Sequence, residues 1–142
     1  MSSGFEDAMK RAYAIASEYR HELVTLEHVL ASLLENPDIK DIINGVGGDL
    51  SKLQRLTKDY LDDAAHHVIV RGGVYQPRHT GLLLTVVKKA KTQSLFSGRK
   101  DMGYIDLFLA LFNIDQSHAS YYLSESGVDR DAVIGLVNKE SS

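Results

Sequence analysis

Six histidines and nineteen acidic side chains are the raw material for chemistry in this chain, which has no cysteine. Asp62 with His66, and Asp63 with His67, stand at i,i+4 spacing, so each pair shares a helical face and could chelate a divalent ion. Two ligands on a surface are a weak metal signal, and no H-E-x-x-H string occurs. A frayed helix end, with imidazoles near its negative terminus, accounts for the same residues. His21 and His28 flank Glu22 and Glu27 in a second cluster, where an adventitious ion is again the most that composition offers. The missing thiols exclude disulfides, zinc ribbons, Fe–S clusters and cysteine catalysis. No G-x-x-x-x-G-K-[ST] or G-x-G-x-x-G string is present, and Ser97-Gly98-Arg99-Lys100 lacks both the upstream glycine and the following hydroxyl. Nothing resembles a nucleophile elbow. The expectation is a chain that is not an enzyme and holds no cofactor of its own.

Composition narrows the partners. The 142 residues are 44% apolar and 25% charged, a globular balance with a net charge of −3. That weak acidity argues against a general binder of phosphate backbones, so no nucleic acid is expected. Lys88, Lys89, Lys91, Arg99 and Lys100 form the only basic concentration, and without interleaved aromatics they read as a solvated face. No apolar run approaches the ~18 residues of a membrane span, and Met1-Ser2-Ser3-Gly4 lacks a signal peptide's regions, so a cytoplasmic chain without membrane contact is expected.

The elements that must position these residues are helical. Phe5, Ala8, Met9, Ala12, Ile15, Ala16 and Tyr19 recur at three- and four-residue steps. Thr25 offers a cap for a second helix over 26–34, and Asn36-Pro37 opens a third that stops near Gly45. Asp49 caps a fourth. From 65 to 79 the pattern fails, apart from a brief extended piece at Val68-Ile69-Val70, and the stretch reads as a linker. Thr80 then caps a fifth helix closed by Gly98. A sixth covers roughly 104–112, a seventh starts near Asp115 and stops at Gly127, and Asp129 caps an eighth.

The eight helices are two sets of four. An offset of 78 places Val29, Leu30, Leu33 and Leu34 on Leu107, Phe108, Leu111 and Phe112; an offset of 80 places Gly47 and Asp49 on Gly127 and Asp129. The fold expected is therefore all-α: a single domain over 1–142, with repeat 1 over about 5–64, a linker over about 65–79 and repeat 2 over about 80–139. Each repeat is marginal alone, so a shared core is the stable arrangement, with Leu30, Leu33, Phe108, Leu111 and Leu123 inside it.

The string Arg20-His21-Glu22-Leu23-Val24-Thr25-Leu26-Glu27-His28-Val29-Leu30 resembles the R-H-E-F-x-T-x-E-H-L-L signature of the N-terminal domain of Clp-type AAA+ unfoldases, and most of all the ClpA type. Leu33-Leu34-Glu35-Asn36-Pro37 matches its L-L-x-N-P, Ser97-Gly98-Arg99 its S-G-R, and Ala119 to Leu123 is similar to its A-A-Y-L-L, so the resemblance spans nearly the whole chain. It implies a mobile, non-catalytic docking domain ahead of two ATPase rings, with ATP used by the longer protein and a Clp peptidase engaged only indirectly. Its partners would be a ClpS-type adaptor and protein substrates. The alternative is a stand-alone regulatory subunit that docks on a Clp complex. Glu22 and Glu27 match acidic positions implicated in adaptor contact, Thr80 matches a polar position opening the second repeat, and His21 lies in the same edge. Both carboxylates are expected to project from it. Two departures stand out. Ile105 occupies the place of a second glutamate, and isoleucine cannot pair with a guanidinium, so a symmetric pair of phosphoarginine sites is not expected. The linker over 68–79 also differs from the family in its glycines and in Arg71 and Arg78.

Overall fold

A computed structural model describes residues 4–96 and 103–141. The described residues form eight α-helices: α1 (Gly4–Glu18), α2 (Leu26–Leu33), α3 (Pro37–Gly45), α4 (Leu50–Asp62), α5 (Gly81–Phe96), α6 (Tyr104–Leu111), α7 (His118–Glu125) and α8 (Arg130–Ser141). The helix stop expected at Gly98 and the Ser97-Gly98-Arg99 string lie outside the described residues. The fold is all-α, as the periodicity predicts.

Local chemistry sets the boundaries. Side-chain oxygens of Asn36, Asp49, Thr80 and Asp129 accept backbone N–H groups of Asp38, Lys52, Leu83 and Ala132 at 2.8–3.1 Å, satisfying donors that the first helical turn leaves orphaned. Gly47 and Gly127, related by the offset of 80, both take left-handed φ values of 79° and 73°. Each lets the next N–H reach back, Gly48 to the Ile43 carbonyl and Val128 to that of Leu123, both at 2.9 Å, which closes the helix. The start of α7 differs from the expectation at Asp115. Ser117 donates its N–H to the Ile114 carbonyl and accepts from Ser120 N–H, so 114–117 is spent on a turn and the helix opens at His118.

The linker is more ordered than its composition implies. After a 3₁₀ turn at Ala64–His66, Val68 accepts from Glu22 N–H and Val70 donates to the Arg20 carbonyl, both at 2.8 Å. Two short strands, β1 (Leu23–Val24) and β2 (Arg78–His79), then pair in parallel, Leu23 beside Arg78 and Val24 beside His79. The linker is thus stitched along residues 20–24 before it enters α5.

Packing follows the pseudo-symmetry. α1 lies on α2 and α5 on α6; between repeats, α2 meets α6 and α7, α4 meets α7, and α3 meets α8. Leu30, Leu33, Phe108, Leu111 and Leu123 are all buried in one cluster that draws on both repeats. The α3–α8 approach is close enough that a Cβ on Gly45 would come within 2.8 Å of Leu136 Cδ2. Among the described residues, no helix is long and apolar enough to cross a membrane.

Candidate functional site

The segment 20–28 joins α1 to α2, and the structure builds three different environments from it. The first is a buried histidine knot. Thr25 N–H donates to His28 Nδ1 at 3.0 Å, and the Thr25 hydroxyl lies 2.8 Å from the same nitrogen. With Nδ1 accepting, the neutral ring carries its proton on Nε2, which donates to His21 Nδ1 at 2.8 Å. His67 donates Nε2–H to the Tyr60 carbonyl at 2.9 Å and stacks on His21, ring centroids 3.6 Å apart and 9° from parallel. His67 therefore adds an imidazole donor to a carbonyl in the last turn of α4.

Burial sets the protonation of this knot. Desolvation, then the neighbouring His67, pushes His21 down to about 4; desolvation, then His21 and His67, pushes His28 down to about 3. His67 is also lowered by desolvation, against the opposing pull of the Tyr60 carbonyl. Ring nitrogens of the three histidines lie within 4.8 Å of one another. An ion binds in the plane of an imidazole, and the parallel planes of His21 and His67 do not converge. As arranged, the rings bond each other and the backbone; a shared cation requires one of them to turn. The candidate metal set Asp62, His66 and His67 is not brought together. Asp62 accepts from Tyr19 Oη and Lys58 Nζ, His66 stacks on Tyr60, and His67 joins the knot.

Glu27 makes the second environment and corrects an expectation. It does not project from an edge: it is 5% exposed, and its Oε2 accepts Ala119 N–H at 2.8 Å in the first turn of α7. Tyr60 lies near this carboxylate, and burial and that charge raise the phenol's pKa. A side chain of repeat 1 thus caps a helix of repeat 2, where the helix dipole favours negative charge. Ile105, its counterpart, packs against the core instead. His21 is likewise buried, at 2% exposure, rather than offered to a partner.

The third environment is open to solvent. Glu22 Oε1 accepts from Arg78 Nη2 at 3.0 Å across the two strands, and both side chains remain partly exposed. Thr80 is half-buried; its N–H bonds the Val24 carbonyl, and its hydroxyl oxygen caps α5. Arg20, the only described non-glycine residue with a positive φ (58°), clamps the loop beside them. Its guanidinium donates to the carbonyls of Val70, Gly72 and Gly73 at 2.7–3.1 Å and sits 5.1 Å from the Tyr75 ring centroid. Tyr75 Oη donates to the His21 carbonyl. Val68 and Val74 stand exposed on this braced loop. Sequence reasoning missed both His67 in the knot and the Arg20 clamp: His67 reaches His21 by ring stacking across 46 residues, and Arg20 reaches carbonyls about fifty residues on, and neither contact leaves a mark on residue spacing.

These surroundings belong to a known domain. A family model described as the Clp repeat (R) N-terminal domain matches residues 1–137. A "ClpA homolog protein" of Fuscovulum blasticum is 33% identical over 135 residues, covering 93% of this chain, which in turn spans 17% of that relative. Among solved structures, the Hsp104 N-terminal domain from Candida albicans superposes with a TM-score of 0.80 at 14% identity, covering 94% of this chain and 85% of that one. A complex of the ClpV N-domain with a VipB peptide gives a TM-score of 0.66 at 24% identity, covering 91% and 80%. The helical repeat, the glycine stops and the matched residues lead to one assignment: the chain belongs to the Clp repeat (R) N-terminal domain family.

Proposed function

We propose that this chain is a non-catalytic docking domain that captures a ClpS-type adaptor, or protein substrates directly, for delivery to the ATPase ring of a longer ClpA-like protein. The observation that carries the reading is the edge where the partly exposed Glu22 meets the linker. There an ion pair, Glu22 with Arg78, and the exposed Val68 and Val74 sit on backbone held rigid by the Arg20 clamp. A fixed surface mixing charge with small apolar groups suits a protein contact whose ordering cost is already met. The VipB peptide bound by the ClpV N-domain supports a docking role for this fold. The 17% share of the ClpA homolog supports a place within a larger machine. A stand-alone regulatory subunit would use the same edge; the length of the open reading frame separates the two readings.

Calorimetric titration of the chain with a ClpS-type adaptor tests the proposal. Glu22→Lys, which reverses the exposed carboxylate and repels Arg78, should weaken binding by more than about ten-fold, ~1.4 kcal/mol, with little change in melting temperature. Neutral changes at Asp62 and Asp63 are the control. Undiminished binding by Glu22→Lys at low salt would remove this edge from the interface.

A further inference from the structure

Charge is distributed unevenly along the chain. Residues 64–100 contain seven Lys or Arg and no Asp or Glu, so the remaining 105 residues hold nine basic against nineteen acidic side chains. The described part of the acid-free segment is the linker and α5. On α5, Leu84, Lys88, Lys91 and Leu95 follow one another at steps of four, three and four, which aligns them on one face, and all four are exposed. Leu84 and Leu95 are 41% and 74% exposed. Beside this stripe, Thr85, Lys88, Lys89, Thr92, Gln93 and the α6-flanking Asn113 line a cleft of about 390 Å³. Among the described residues, no carboxylate lines it. Lys88, Lys89 and Lys91 make no ion pair among the described residues, and what sets them apart from other such side chains is their clustering on one acid-free helix.

We propose that the outer face of α5 is a second docking surface, for an acidic peptide segment that also carries leucine-like side chains. Three ammonium groups with no ion-pair partner among the described residues call for carboxylates, and the two exposed leucines that bracket them call for apolar partners. The bracket spans about 16 Å of helix, which suits a segment of three helical turns. Nucleic acid fits less well. Gly81–Leu95 has no aromatic side chain on which a base could stack, and the acidic remainder of the chain repels a long polyanion. The surface is separate from the Glu22 edge, so either can fail alone.

The test is fluorescence anisotropy with the full chain and three labelled probes: a fourteen-residue peptide with glutamates between two leucines spaced eleven apart, the same peptide with lysine for glutamate, and an oligothymidylate of matching charge. The glutamate peptide should bind saturably and more tightly at low salt, while the lysine peptide does not bind. Lys88→Glu with Lys89→Glu should weaken that binding by at least about ten-fold. Leu84→Ser with Leu95→Ser should weaken it several-fold at unchanged salt dependence. Both variants alter exposed side chains, and an unchanged melting temperature confirms that they fold. No saturable binding, equal binding to the lysine variant, or an oligothymidylate that outcompetes the glutamate peptide would each overturn the proposal. Because the Glu22→Lys variant leaves α5 intact, it should bind the glutamate peptide like the parent.

Discussion

Glu22 and Glu27 share a side chain and lie five residues apart, yet their surroundings assign them opposite work. Glu22 faces water and an arginine that is itself mostly exposed. Solvent screens such a pair and its two side chains lose freedom, so Glu22→Gln should change stability by no more than about 1 kcal/mol. Glu27 is buried and accepts a bond from Ala119 N–H. Its replacement by glutamine keeps the volume but removes a charge-assisted bond to a helix N-terminus, and should cost about 1.5–3 kcal/mol in urea denaturation. Equal, small losses from both variants would place Glu27 back at the surface. Sequence alone gave no way to separate the two, since a glutamate beside a capping threonine looks the same whether the neighbouring repeat covers it or not.

At the level of elements, the junction of α1, α2 and α4 is held by neutral imidazoles, and this fixes how it responds to acid. The folded pKa values of His21, His28 and His67 are pushed down by burial. As pH falls below the ordinary value of about 6.5, the unfolded chain therefore takes up protons that the folded one refuses. Their contribution to stability is complete above that pH. It is lost as pH drops towards about 4 for His21 and about 3 for His28. The urea midpoint should thus fall between pH 7 and pH 5. His28→Asn, whose carbonyl oxygen can replace Nδ1 as acceptor for Thr25 N–H, should flatten that slope while preserving the helix cap. An unchanged slope would assign the acid sensitivity to other groups. The caps and glycine stops of these helices were legible in sequence, because Thr25, Asn36, Asp49, Gly47, Gly127 and Asp129 act on backbone within six residues. The knot was not. It depends on a linker that returns His67 to α1, and nothing in the composition of 65–79 announces the path. The start of α7 was misplaced for a local reason: two competing cap residues, Asp115 and Ser117, stand two positions apart, and a turn consumed the first.

Across the whole molecule, the two repeats share what neither can supply alone. α2 packs on α6 and α7, α3 on α8, and the buried leucines of repeat 1 meet Phe108 and Leu111 of repeat 2. A fragment ending at His79 would expose that face and leave Glu27 without Ala119 N–H. Such a fragment should show residual helix by circular dichroism but no cooperative urea transition. A sharp transition would mean that repeat 1 folds by itself. The pseudo-symmetry is also imperfect in a directional way. Repeat 1 extends a carboxylate into repeat 2, and Ile105 returns nothing comparable, so the halves are not interchangeable.

The Arg20 clamp has a kinetic consequence. The Arg71–Gly72 bond is an open invitation to a trypsin-like enzyme: exposed, next to a second glycine and outside every helix. Cleavage requires the scissile stretch to leave its surface and lie extended through several subsites, and here the carbonyls on both sides of Arg71 are tied to one guanidinium. Opening must break those bonds together, so the nicking rate reports how often the clamp lets go. Arg20→Ala should hasten cutting after Arg71 by at least about ten-fold without a matching fall in global stability. An exposed cleavable bond is thus shielded by a single side chain.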